Sequence, residues 1–196
     1  IADRLGRYGR PIADEHEKVT VLFADIVGFT EWSRTQSPEE VVSLLDQIFS
    51  NFDELATKHG VEKIKTVGDA YMAGSGIPTS SKNHAASAAN LALDMLDYLE
   101  TVRTSKSLKI EARIGIHSGR VIAGIIGKTK FAYDIWGDTV NQASRLESNG
   151  NSSKICVSSD TYELLKHEYQ FETGQLLNLK GIGDVQTYFL ERSDRT

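Results

Sequence analysis

Cysteine is nearly absent: Cys156 is the only one among 196 residues. No internal disulfide can form, and a reducing compartment, the cytoplasm, is the simplest expectation. Cys156 lies in Lys154-Ile155-Cys156-Val157-Ser158, a short strand-like run that suits a small core residue. There is no run of about 18 apolar residues, so neither a membrane span nor a secretory signal is expected. Positive charge is not in excess: 22 Lys and Arg against 27 Asp and Glu leave a net charge of −5, spread along the chain. That argues against a general nucleic-acid binder but not against a nucleotide, whose phosphates can be neutralised by metal ions and a few Lys or Arg. What remains is an ordinary globular composition, 40% hydrophobic and 25% charged, long enough for one domain with a sizeable core.

Residues 1–17 stand apart. Ile1, Leu5, Tyr8 and Ile12 fall at near-helical spacing, but Gly6, Gly9 and Pro11 interrupt it. With no initial methionine, this segment reads as a linker from a longer protein, and residues 18–196 as the domain. The domain opens on Val19-Thr20-Val21-Leu22-Phe23-Ala24, a buried-strand pattern that ends at Asp25 and passes through Gly28 into Thr30-Glu31-Trp32-Ser33, a helix start. Such a strand end suits a metal-bound polyphosphate, because the carboxylate holds the cation and free N–H groups face the anion. An aspartate that merely caps the helix fits this stretch equally well.

Ser37-Pro38-Glu39-Glu40 forms a capping box with proline at the first helical position, and Val41, Leu45, Ile48, Phe52 and Leu55 then mark one apolar face. Val61 to Val67 and Ala70 to Ile77 read as a hairpin through Gly68-Asp69. His84 to about Arg103 is an alanine-rich helix with Ala85, Ala88, Ala92, Met95, Leu99 and Val102 on one stripe. Ile110 to Ile116 alternates with period 2, Ser118-Gly119 is expected to turn the chain, and Arg120 to Ile126 is a second strand. His117 fits the second face of this strand better than a metal ligand. Phe131 to Trp136, a helix from Gly137-Asp138 to about Glu147, and a strand–helix–strand–strand tail complete the chain. The fold class is α+β: a ferredoxin-like βαββαβ core with a C-terminal α/β extension.

Three groups of residues carry possible chemistry. Asp25 and Asp69 meet at one sheet edge if their strands are neighbours, and two carboxylates there suit divalent cations. Aspartate is also a common turn residue. Asn141 and Arg145 stand at i and i+4 on one helix face, able to bind a sugar and a phosphate, or simply solvated. Strict alternation puts Lys63 and Lys65 on one side of their strand, as at an edge or a lined pocket. Lys65 to Asp69 is about 13 Å at strand rise, within a nucleotide's reach.

Four blocks, in order between Lys18 and Leu190, resemble the class III nucleotidyl cyclase catalytic domain. They are Phe23-Ala24-Asp25-Ile26-Val27-Gly28-Phe29-Thr30, then Lys63-Ile64-Lys65-Thr66-Val67-Gly68-Asp69-Ala70-Tyr71-Met72, then Gly115-Ile116-His117-Ser118-Gly119, and last Tyr133-Asp134-Ile135-Trp136-Gly137-Asp138-Thr139-Val140-Asn141-Gln142-Ala143-Ser144-Arg145. The resemblance implies two Mg2+ or Mn2+ ions held by Asp25 and Asp69 with the Ile26 carbonyl. It implies phosphates cradled around Val27, Gly28, Phe29 and Thr30 and contacted by Lys180. It implies adenine read by Lys65 and Asp134 beside Ile135, ribose placed by Asn141, and α-phosphate charge stabilised by Arg145.

Adenine's N1 acceptor and N6 donor suit a lysine and a carboxylate; guanine presents the reverse pattern. The expected function is therefore an adenylate cyclase that makes cyclic AMP and pyrophosphate from ATP. Its sites would be shared across a head-to-tail homodimer, and residues 1–17 would lead from an upstream sensor or membrane module. Some family members carry a phosphate-binding arginine where this chain has Thr129, between Lys128 and Lys130. The alternatives are a guanylate cyclase and a non-catalytic cyclase-like module; the Gly-Gly-acidic-acidic-Phe motif of diguanylate cyclases is absent.

Overall fold

In a computed structural model, residues 12–127, 131–179, 181 and 183–191 are described. The strands are β1 (Ile12–Val27), β2 (Glu62–Val67), β3 (Ala70–Ser75), β4 (Glu111–Ile126), β5 (Ala132–Trp136), β6 (Ile155–Ser158), β7 (Phe171–Leu179) and β8 (Gly183–Leu190). The helices are α1 (Phe29–Ser33), α2 (Pro38–His59), α3 (His84–Lys106), α4 (Asp138–Ser148) and α5 (Ser159–Leu165). One sheet runs in the order β2-β3-β1-β4-β6-β8-β7, with β5 paired to β4. The first four strands, paired antiparallel among themselves, make the ferredoxin-like half; β6 joins parallel to β4 and opens the extension.

Helix α2 forms where its signals stand. The Ser37 hydroxyl accepts from the Glu40 N–H, the Glu40 carboxylate accepts from the Ser37 N–H, and Gly60 ends the helix at φ 65°. Its innermost residues are Leu44, Ile48, Phe52 and Ala56, one position round from the expected stripe, with Val41, Leu45 and Leu55 flanking them. The stripe of α3 lies as expected, and its alanines let the helix sit close on the sheet. One core forms between the sheet and α2, α3 and α5; a smaller one (Val19, Val21, Met72, Val121, Ala123, Ile135, Ala143) lies on the other face under β5 and α4. Cys156 is buried, its thiol pushed up to about 11 by that burial.

Four expectations change. The opening strand begins before Val19: β1 starts at Ile12 and pairs with Ile125 through Val121 on β4 before a bulge between His16 and Val19. This ribbon is polar (Glu15 pairs with Arg120 at 2.8 Å), so it lacks the alternation that marks a half-buried strand. Asp25 does not follow the strand but lies inside it, since β1 runs to Val27. Ser118-Gly119 is not a turn, and β4 continues through it for 16 residues. Glycine is needed there for clearance, because a Cβ at Gly119 would lie 2.6 Å from Thr139 Oγ1. Finally, a bulge between Lys63 and Lys65 sends the two lysines to opposite faces: Lys63 pairs with Ala73, and Lys65 with the adjacent Met72.

Candidate active site

The Gly68-Asp69 turn, with Gly68 at φ 62°, closes the β2–β3 hairpin beside the end of β1. Asp25 is level with Ala70, and the Ile26 N–H donates to the Asp69 carbonyl at 3.3 Å. The first carboxylate pair is thus brought together. Asp25 lies on the face that carries Val21 and Phe23, toward α4, and its partner there is Arg113 on β4 (Nη2–Oδ2 3.2 Å). Another nitrogen of the same guanidinium holds Glu147 of α4 (Nε–Oε1 2.7 Å). Burial pushes the Asp25 carboxyl up to about 6; the Glu147 and Asp69 carboxylates add to the rise, and Arg113 opposes it. A carboxylate so short of counter-charge, beside a second carboxylate and a main-chain carbonyl, is a hard-oxygen donor set that fits a divalent cation.

Immediately after, Gly28 takes φ 85°, and a Cβ there would meet the Lys109 carbonyl oxygen at 2.3 Å, so geometry and space both demand glycine. The chain then enters α1. Phe29 is buried, and Thr30 reaches back to donate to Asp69 at 3.4 Å. Val27, Gly28, Phe29 and Thr30 therefore border the two carboxylates.

The bulge in β2 has a chemical result. It aims Lys65 at β5, where its ammonium donates to Asp134 Oδ2 at 2.5 Å. The other carboxylate oxygen accepts the Ile135 N–H at 2.9 Å, which fixes the orientation of Asp134. The Ile135 side chain is buried in the smaller core, so only its main chain can face a ligand. Asn141 and Arg145 lie on α4, whose buried stripe is Thr139, Ala143, Leu146 and Glu147. At 100° per residue they point roughly 150–180° away from that stripe. Arg145 has no side-chain ion pair among the described residues. Lys180, and Thr129 with Lys128 and Lys130, lie outside the described residues.

Arg113 and Glu147 join the site only in the folded chain. Arg113 was one polar tooth of an alternating strand. Glu147 carried a sharper signal: it is four residues after Ala143 and next to Leu146, an acid on a helix's apolar stripe. His117 is a buried strand residue, as expected, hydrogen-bonded to Ser158 Oγ at 2.7 Å.

Residues 12–192 match the family model described as the adenylate and guanylate cyclase catalytic domain. The chain belongs to that family. An adenylate cyclase of Mycobacterium tuberculosis is 41% identical over 191 residues, 97% of this chain and 43% of that protein. The present cyclase domain thus spans less than half the length of that relative. Among solved structures, the adenylyl cyclase CyaB from P. aeruginosa superposes with a TM-score of 0.88 at 32% identity, covering 94% of this chain and 98% of that one. The guanylate cyclase domain of RhGC from Catenaria anguillulae, solved in complex with GTP, superposes at 0.87 with 37% identity, covering 91% and 98%. Relatives of both nucleotide classes are therefore present, and the fold is that of a class III cyclase catalytic domain.

Proposed function

We propose that this cyclase domain is an adenylate cyclase, converting ATP to 3′,5′-cyclic AMP and pyrophosphate in sites shared by two copies of the chain. The observation that carries the choice of purine is the Lys65–Asp134 pair. One donor and one acceptor, side by side on β2 and β5, match the N1 acceptor and N6 donor of adenine. Guanine would set its N1–H against the ammonium and its O6 against the carboxylate, leaving polar groups that the base covers unmatched at about 1–3 kcal/mol each. An ammonium has no acceptor and a carboxylate no donor, so the pair cannot exchange roles to suit the other base, and the Ile135 N–H holds Asp134 in place.

Asp25 and Asp69, with the Ile26 carbonyl, would hold the divalent cations. Bound there, such ions would lower the pKa of the ribose 3′-hydroxyl and neutralise the triphosphate. The N–H groups from Val27 to Thr30 border the terminal phosphates, Asn141 orients the ribose, and Arg145 meets the charge that grows on the α-phosphate as pyrophosphate leaves. Lys180 is assigned to the terminal phosphates on the sequence resemblance alone.

The facing of α4 supports a shared site. Glu147 points in at the Arg113–Asp25 pair of its own chain, while Asn141 and Arg145 point out. A nucleotide held at Asp25 therefore draws its Asn141 and Arg145 from a second copy. The exposed apolar side chains of the β4–β5 arm (Ile122, Ile126, Phe131 and Trp136) give that copy a surface to cover.

The test is turnover of ATP and of GTP with Mg2+ or Mn2+ across a series of protein concentrations. The expected result is cyclic AMP from ATP, with specific activity falling as the protein is diluted to monomer. Cyclic GMP as the main product would overturn the purine assignment. Activity unchanged in a demonstrated monomer would overturn the shared site.

A further inference from the structure

We infer that Glu147 is a positioning residue that sets the affinity of the Asp25 site for divalent cations; this rests on the proposed reading of Asp25 and Asp69 as the cation ligands. Glu147 is only 7% exposed, an unusual burial for a carboxylate. It accepts from Arg113 Nε at 2.7 Å and from the Ser148 hydroxyl at 3.0 Å. Arg113 gives Asp25 its Nη2, to Oδ2 at 3.2 Å, a longer contact than the one from Nε to Glu147. One guanidinium is thus divided between two carboxylates, and the tighter contact belongs to Glu147.

The division matters because arginine and a cation compete for the same carboxylate oxygens. Counting Asp25, Asp69, Glu147 and Arg113 together, the site carries −2 with Glu147 ionised and −1 without that charge. Without the Glu147 charge, Arg113 is free to turn its full bidentate edge onto Asp25, a strong charge-assisted pairing that neutralises the ligand. Loss of the negative charge and gain of the competitor act in the same direction. Groups that hold a ligand's partner in this way change metal affinity by about 10–100-fold. The backbone holds Glu147 in place: a Cβ at Gly115 would lie 2.1 Å from the Glu147 N–H nitrogen, so α4 lies directly on β4 at this residue.

The experiment is direct Mn2+ binding to the nucleotide-free protein, by calorimetry or by the Mn2+ electron-spin signal, with thermal melts to confirm folding. Glu147→Gln keeps the shape but replaces the charge-assisted contact from Arg113 with a weaker neutral one, and is expected to weaken Mn2+ binding about tenfold or more. Glu147→Asp should stay within about threefold of wild type. The double variant Arg113→Met/Glu147→Gln removes competitor and offset together and should also return to within about threefold.

A Glu147→Gln protein that binds Mn2+ like the wild type overturns the inference. So does a double variant tenfold weaker than wild type, which also decides the matter if Glu147→Gln alone does not fold. If Asp25→Asn binds Mn2+ as well as wild type does, or wild type binds none, the cation-site reading itself fails instead.

Discussion

Gly115→Ala is the sharpest test of how the sheet and α4 are fitted together. The added Cβ would lie 2.1 Å from Glu147 N, 2.5 Å from Ala143 O and 2.7 Å from Glu147 Cα. All three are helix backbone, so no side chain can swing aside to make room. Ordinary contact needs about 3.4 Å or more, and α4 must back away by roughly 1 Å. Overpacking of this kind costs about 1–3 kcal/mol, and with rigid backbone as the obstacle the upper end is expected. For a chain of 196 residues, that corresponds to a melting temperature lower by roughly 6–12 °C.

The functional effect is larger. α4 carries Asn141 and Arg145 outward and Glu147 inward, and a misplacement of about 1 Å can cost on the order of 10²-fold in rate. Urea unfolding and nucleotide turnover should be measured on the same preparation. Gly60→Ala is the control: its φ of 65° strains alanine, but nothing lies near the added methyl, so a loss of about 1 kcal/mol with normal turnover is expected. A Gly115→Ala protein within about 0.5 kcal/mol of wild type and fully active would refute this account of the α4 contact.

Three further predictions follow from the geometry. Asp25→Ala and Arg145→Ala should each be inactive alone yet recover part of the activity when mixed, since one of the two sites in a mixed dimer then has both halves; two folded, dimerising variants that fail to complement would rule out shared sites. Replacing Lys65 by glutamate and Asp134 by serine should lower kcat/KM for ATP by at least about tenfold and raise it for GTP, read from initial rates with each nucleotide; an unchanged ATP:GTP ratio would sink the purine assignment. His84 and His117 end a buried chain of hydroxyls (Thr20, Ser118, Thr161 and Ser158), and burial holds both imidazoles below their ordinary range. The unfolded chain therefore takes up those protons first, and the stability these residues contribute is present above about pH 6.5 and lost as pH falls below it. The raised Asp25 carboxyl acts the opposite way near pH 6, so the contrast with His117→Gln isolates the histidine: the variant's urea midpoint should fall less than the wild type's between pH 7.5 and 5.5.

Much of this was local and therefore visible in the chain. The capping box at Ser37, the Gly68-Asp69 hairpin, the alanine stripe of α3 and the period-2 run up to Ile116 each depend on neighbours a few residues away, and each stands where the sequence puts it. The candidate groups were legible for the same reason: Asp25 follows a recognisable apolar run, Asp69 lies in the Gly68-Asp69 turn, and Asn141 and Arg145 share a helix face by spacing alone. Neither glycine identity nor strand alternation reports what lies opposite. Gly119 looked like a turn and is instead a clearance for Thr139; Lys63 and Lys65 looked like neighbours on one face, and a one-residue bulge separated them.

The sequence by itself determined the βαββαβ order and the identity of the groups that could bind a nucleotide and its cations, because short-range pattern and residue chemistry suffice for both. The tertiary structure alone decided how they combine. It joined Lys65 to Asp134 across 69 positions of chain and set Arg113 between Asp25 and Glu147. It also set Arg145 on the side of α4 opposite Glu147. Each of these depends on strand register and helix facing, which are settled only when distant segments pack against one another.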